Sequence, residues 1–466
     1  MRSSLTGLHL DRRNPGRHAG GGLAAAKTAA ATTSAATTAA ATTGAAVSVA
    51  RAGPGRQPAL DGLRVIAAFA VLLVHVGGVT GLAFTGTPLS WVVSRGDIGV
   101  PIFFTLSGLL LYRPWAAAAL DVGGNPATST YLWRRAVRIL PAYWAVVVVA
   151  FATLNHASLR SVAHWAEYLG LAQVYDPRPW WGGTGAPGLA QMWSLAVEVS
   201  FYALLPVLAG LLTWYARRAG PDVGRRARRL LAGIAVLTVA PFGLAVLEYY
   251  PAFEPWIGET LPRLLTWFTP GMAIAVVTVW AQAEPGTDGP VRRLERTVAQ
   301  SAGACWLIAV MTFVVACTPV TGPQTLAIAS LWQTEIKLAL YAIVAAAIVA
   351  PAAFQPRSPT RLSMILGNRV MRFLGKVSYG VFLWQYLVIY GLFAALHQRN
   401  IFSGGSFTLA SATGVLVAVT VLTVAAATMS FYLIENPAQR LYQRLGPRSV
   451  KSRRRALANT PKLPPC

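Results

Sequence analysis

Residues 61–75 read Asp61-Gly-Leu-Arg64-Val-Ile-Ala-Ala-Phe-Ala-Val-Leu-Leu-Val-His75. Ten apolar or small residues separate a cation from an imidazole. A helix rises about 1.5 Å per residue, so Arg64 and His75 are roughly 16 Å apart along the axis. Eleven steps of about 100° bring both side chains back to one face. If Arg64 marks the start of a span, His75 falls near the middle of a hydrocarbon layer about 30 Å thick. An ionisable group at that depth is costly and points to function.

The surrounding composition agrees with a membrane setting. The chain of 466 residues is 55% hydrophobic and only 12% charged. That excludes an ordinary soluble protein. The net charge of +24 suggests nucleic acid at first sight, but its distribution argues otherwise. Ten apolar spans are predicted, at about 63–83, 98–118, 139–156, 192–213, 230–248, 262–281, 302–318, 334–353, 373–396 and 408–432. The even number puts both termini on one side. Thirty-four of the forty Lys and Arg residues then share that side, which makes it cytoplasmic. The basic charge is read as an orientation signal and an anionic-lipid contact, with no nucleic-acid partner.

The expected fold class is therefore all-α integral membrane: a polytopic bundle of about ten transmembrane helices, both termini cytoplasmic. Residues 1–57 are rich in Ala, Thr, Gly and Arg and are expected to be a disordered basic tail. Residues 58–440 form the transmembrane domain, and 441–466 a second basic tail. The three cysteines lack metal or redox spacing. The longest outer connection, about 157–191, carries Trp180-Trp181 and is either a lid or an interfacial aromatic loop.

Several polar residues interrupt the spans. His75 can take a proton from a hydroxyl. Arg64 can pair with phosphates or simply anchor the helix, and Asp61 can hold it in place. Ser107, in Thr105-Leu-Ser107-Gly108, is expected at the depth of His75, as a nucleophile, an oxyanion donor or half of a Ser-Gly packing pair. Arg134, Arg135 and Arg138 precede Pro141 and can clamp pyrophosphate or act as loop charges. Glu198 follows Trp193-Ser-Leu about 10 Å below the outer surface and can orient the imidazole or bind a sugar hydroxyl. Gln385 is expected at the level of His75. Pro437 is expected to stop the last helix. No metal-ligand or Gly-rich phosphate motif accompanies these residues.

As an ordered set these segments resemble the acyltransferase-3 family of integral membrane O-acyltransferases. The matching pieces are Arg64 with His75 and their Asp61-Gly-Leu-Arg start, Gly99-Val-x-x-Phe-Phe-x-Leu-Ser-Gly, Arg134-Arg-x-x-Arg-Ile-x-Pro, Trp193-Ser-Leu-x-x-Glu with Phe201-Tyr202, Ser378-Tyr379 and Glu435-x-Pro437. The resemblance implies transfer of an acyl group from cytoplasmic acyl-CoA, most simply acetyl-CoA. The acceptor it implies is a hydroxyl of a sugar, glycolipid, cell-envelope polysaccharide or glycosylated metabolite, reached from the plasma (inner) membrane. It implies His75 as base, with Ser107 and Glu198 beside it in catalysis. Arg64, Arg135 and Arg138 would bind the CoA phosphates, with Gln385, Trp193, Ser378 and Tyr379 as substrate or oxyanion candidates. No metal is implied. Where the family often has a histidine this chain has Gln385, which cannot act as a base. The alternative function is a non-enzymatic transporter or flippase using the same polar layer.

Overall fold

The computed structural model describes residues 58–182, 185–284, 288–323, 327–354, 361–396 and 407–445. The N-terminal tail and most of the C-terminal tail lie outside the described residues. Within them every regular element is helical. The main helices are α1 Pro58–Val79, α2 Pro88–Ser94, α3 Gly99–Ala119, α4 Thr128–Thr153, α5 Val162–Leu169, α6 Met192–Arg217 and α7 Val223–Tyr249. They continue as α8 Thr269–Ala283, α9 Pro290–Gln300, α10 Ala302–Ala316, α11 Leu331–Ala353, α12 Arg369–Ala395, α13 Leu409–Ser430 and α14 Asn436–Leu445.

Eight helices among the described residues are long and apolar enough to cross a bilayer. Two bent pairs bring the number to ten: Leu261–Trp267 with α8 at 47°, and α9 with α10 at 68°. The predicted polytopic bundle is thus the observed architecture. Side-chain caps set several starts. Asp222 accepts from the Arg225 amide before α7, and Asn368 accepts from the Met371 amide before α12. Ser330 and Gln333 form a reciprocal box before α11.

Glycines set the packing of the central helices. A β-carbon at Gly96 would strike the Ala70 carbonyl and Val74, and one at Gly99 the Ala67 carbonyl and Val71. The chain entering α3 therefore runs antiparallel against α1. Gly375 meets Asp61 and Tyr386 meets His75, so α12 runs parallel to α1. Gly108 abuts the Phe268 carbonyl, and Gly271 abuts the Thr105 carbonyl, so α3 and α8 touch backbone to backbone. Elsewhere large side chains fill the core. Phe104 stacks on Phe268 at 4.3 Å, and Phe268 stacks on Phe201 at 4.1 Å.

Three span boundaries differ from expectation. Helix α4 begins at Thr128, about a dozen positions before the predicted span, and carries Arg134, Arg135, Arg138 and Pro141 within it. Apolarity stops at the arginines, but the backbone hydrogen bonding does not. Pro437 does not end the last helix. A π-helical turn at Phe431–Glu435 intervenes, and Pro437 stands in the first turn of α14, where its missing N–H is not needed. The second span starts earlier, with α2 and a short 3-10 turn preceding Gly99.

Two cations on the sparsely basic side, Arg263 and Arg95, are buried and partnered. Arg263, 1% exposed, bridges Glu248 at 2.9 Å and Glu335, so it joins α7 and α11. Arg95 donates to the backbone carbonyls of Ala316 and Gly322 at 3.1 and 2.7 Å. On the basic side Asp121 pairs with Arg217 and Arg226.

The loop between α4 and α6 is a packed aromatic unit. His164 stacks on Trp180 at 4.4 Å, and Trp180 and Trp181 meet edge to face at 5.4 Å. The Trp180 indole donates to Glu167 at 3.2 Å. Burial and the nearby Asp176 push the Glu167 carboxyl up to about 7 from an ordinary 4.5.

This packing has two testable consequences. Gly271→Val places a side chain against the α3 backbone and should cost about 1–3 kcal/mol or more. Thermal unfolding in detergent should show it, whereas Gly414→Ala, which meets open space, should leave the midpoint near wild type. For Glu167 the folded carboxyl binds its proton more tightly than the unfolded one. Its contribution is therefore fully present below an ordinary 4.5 and is lost as pH rises through about 7. The midpoint should fall over that window, and the fall should be smaller in Glu167→Gln.

Candidate active site

The antiparallel pairing of α1 with α3 and the parallel pairing with α12 create two polar levels in the bundle. At the basic level a cavity of about 100 Å³ opens among α1, α3, α4, α6 and α12. That volume holds several waters. Its polar lining is Arg64, Ser107, Arg135, Arg138, Ser194, Glu198, Tyr202, Ser378 and Tyr379, and its apolar wall includes Phe103, Phe104, Ile139 and Phe382.

Each polar group has a structural reason for its place. Arg64 is one turn beyond Asp61, which accepts from it at 3.0 Å and holds the guanidinium at the cavity mouth. Arg135 and Arg138 are three residues apart on α4 and share a face. Arg138 is exposed, while the Arg135 Nε is buried and has no hydrogen-bond partner. Glu198 accepts from the Ser107 hydroxyl and, at 2.6 Å, from Tyr202 one turn further on. The Tyr379 hydroxyl donates to the Ile139 carbonyl at 2.9 Å, joining α12 to α4. Ser378 donates to the Gly375 carbonyl at 3.1 Å. Three guanidiniums face one carboxylate in this cavity, so the site favours a polyanion.

The second level holds His75. Its ring lies 4.5 Å from that of Tyr386, tilted by 42°. The Gln385 side chain faces the imidazole. The His75 Nδ1 and the Gln385 Oε1 are buried without hydrogen-bond partners, and the Gln385 amide donates to the Phe382 carbonyl at 3.0 Å. Gln385 is seven positions after Ser378 on α12, roughly 10 Å along the helix. Phe382, between them, forms part of the cavity wall.

The sequence placed Ser107, Glu198, His75 and Gln385 at a common depth. The structure divides them into two pairs. Ser107 is with Glu198 in the cavity, and His75 is with Gln385 further out. The reason is register. Gly96 rather than Ser107 packs against Val74, so Ser107 is eleven residues nearer the basic end, roughly 16 Å. Glu198 therefore bonds Ser107 and Tyr202, and no described hydrogen bond joins it to His75. Trp193 packs against the hydrophobic core and does not line the cavity. Arg134 is exposed outside it. Tyr202, the tyrosine of the Phe-Tyr pair that follows Glu198 in the motif, also lines the cavity; the motif assigns it no role, and its i, i+4 spacing from Glu198 is the signal that points to one. Gly108 does serve close packing, while its neighbour Ser107 faces the cavity. Among the described residues no group of three or more His, Cys, Asp and Glu side chains is placed to hold a metal ion.

Residues 57–435 match the sequence profile of the acyltransferase-3 family, described as an acyltransferase domain. YrhL of Bacillus subtilis (strain 168), provisionally named a peptidoglycan O-acetyltransferase, is 26% identical over 352 residues, 71% of this chain and 48% of its own. The peptidoglycan O-acetyltransferase OatA of Listeria monocytogenes is 27% identical over 357 residues, 71% of this chain and 49% of its own. The acyltransferase MdmB of Streptomyces mycarofaciens is 28% identical over 408 residues, 84% of this chain and 94% of its own. The chain thus spans about half the length of the first two relatives and nearly all of the third. No solved structure matches it. With its helical bundle, its basic cavity and a profile match over most of its length, the chain belongs to the acyltransferase-3 family.

Proposed function

We propose that this protein is an O-acyltransferase of the plasma membrane that moves a short acyl group, most simply acetyl, from cytoplasmic acyl-CoA to a carbohydrate hydroxyl. The observation that carries this reading is the cavity of three arginines, one with an unpartnered buried donor, lying on the same helix bundle as a half-buried imidazole further out. The names of the relatives, O-acetyltransferases of peptidoglycan among them, favour a cell-envelope saccharide, glycolipid or similar acceptor.

In this reading Arg64, Arg135 and Arg138 hold the donor's phosphates by charge-assisted hydrogen bonds. The pantetheine arm threads the cavity past Ser378, Tyr379 and Phe382, and the thioester reaches the level of His75. Glu198, bonded to Ser107 and Tyr202, offsets part of the arginine charge and keeps their side chains extended into the cavity. The acceptor enters from the opposite side. His75 takes the proton of its hydroxyl, and the oxygen attacks the thioester carbonyl. In the same reading Gln385 donates to the oxyanion. The carbon–sulfur bond then breaks, the ester forms, and the leaving thiolate takes the proton from His75. An acyl-enzyme route is not needed for this balance.

The test is CoA release by purified protein supplied with acetyl-CoA. Wild type should release CoA slowly by transfer to water, and His75→Ala, folded and binding CoA, should lose at least about a hundredfold of that rate. Release that survives in His75→Ala would remove the base role. No release and no binding across several acyl lengths would favour the transporter instead. CoA should also raise the thermal midpoint. Arg135→Ala should weaken CoA affinity about tenfold or more, for the loss of a charge-assisted contact, and the stabilisation should shrink accordingly.

A further inference from the structure

His75 becomes a cation once it has taken the acceptor's proton. A cation formed inside a span needs a counter-charge nearby. Several elements surround it. Helix α12 presents Gln385 and Tyr386, with Tyr390 beyond. Helices α2 and α13, and the short turn Leu82–Phe84, carry no titratable side chain. The segment entering α3 carries Arg95 and Asp97, and helix α11 presents Lys337 and Tyr341. Cys317, a thiol, lies beside Arg95 and Asp97. Among these groups Asp97 alone can be an anion at neutral pH.

The packing holds Asp97 within about a turn of this level. Gly96 rests on the Ala70 carbonyl and Val74 with no room for a β-carbon. Asp97 follows Gly96 and His75 follows Val74, so in this antiparallel pair the two residues lie within about one helical turn of each other, roughly 5 Å along the axis, and the field of Asp97 reaches the imidazole. Arg95 is turned away, its guanidinium committed to backbone carbonyls at Ala316 and Gly322. Asp97 is held by two donors from α11: Lys337 at 2.6 Å and the Tyr341 hydroxyl at 2.5 Å. Its side chain still keeps 34% exposure, and that of Lys337 keeps 27%. The pair therefore borders accessible space and is not sealed in the core.

We propose that Asp97 is a positioning residue for acyl transfer: its carboxylate supplies the field that stabilises the protonated His75, and Lys337, by sharing that carboxylate, limits how basic the imidazole becomes. This inference rests on the reading of His75 as the base. It assigns a role to a charged pair that the donor cavity does not use. Asp97 acts through His75 and makes no contact with the reacting atoms.

The measurement is the pH dependence of kcat/KM for CoA release from acetyl-CoA, over the range of about 5 to 9 in which a histidine base titrates. A base works when neutral, so activity rises through its acid limb. Asp97→Asn removes the counter-charge, and the limb should move to lower pH by about 0.5 unit or more. Lys337→Met leaves Asp97 unshared, and the limb should move to higher pH by a similar amount. Lys337→Arg should return it towards wild type. If Asp97→Asn does not fold, the sign of the shift in Lys337→Met decides alone. Opposite shifts support the proposal. A lower rate with an unmoved limb in both variants overturns it and leaves only a structural pair. If His75→Ala keeps wild-type activity, the base reading itself falls. If His75→Ala is inactive while neither limb moves, the base reading stands and this inference does not.

Discussion

The cost of leaving a charge unpaired in a low-dielectric span organises this bundle. Arg263 sits between Glu248 and Glu335, Asp97 between Lys337 and Tyr341, and Arg95 among backbone carbonyls. Each of these arrangements joins helices or loops far apart in sequence. Losing a partner of Arg263 or Arg95 would strand a buried charge, a much larger penalty than the interaction is worth when intact. Some buried polar atoms have no hydrogen-bond partner. The Arg135 Nε and the His75 Nδ1 are two of them, and they belong to the two levels where substrate chemistry is proposed.

Close backbone contact sets the geometry between those levels. With no hydrophobic force between helices in lipid, packing depends on small residues that let backbones approach. Gly96 and Gly99 fit α3 to α1, Gly108 and Gly271 fit α3 to α8, and Gly375 fits α12 to α1. These contacts fix the register, and register decides which side chains meet. They carry Ser107 down to Glu198 and the arginines, and leave His75 with Gln385. A donor that is anionic at one end and reactive at the other suits a site whose charge and base are about 10–16 Å apart along the helices.

Much of this architecture is legible in the amino-acid sequence. The hydropathy runs, the lopsided distribution of arginines and the buried histidine point to a helical bundle with about ten spans. The ordered motifs point to the family. Arg64, Ser107, Arg135, Arg138, Glu198, Ser378 and Tyr379, from motifs scattered over more than 300 positions, line one cavity. Less legible are the ends of helices. The span predicted from 139 leaves Arg134–Arg138 open between helix mouth and loop because hydropathy measures transfer to lipid, whereas these arginines ride a continuous helix. Pro437 reads as a stop because a π-helical turn before it has no hydropathy signal.

The sequence by itself determined which residues are apolar enough to span, which side carries the positive charge, and which polar groups are too costly to be incidental. Those are properties of single helices in a bilayer, and local composition suffices to state them. Only the tertiary structure decided the depth at which one helix meets the next. A depth counted from an assumed span end carries the error of that end, and the true level depends on glycine contacts between distant helices. That is why Glu198 meets Ser107 and Tyr202 while His75 lies beside Gln385 and Asp97, a grouping set by tertiary register.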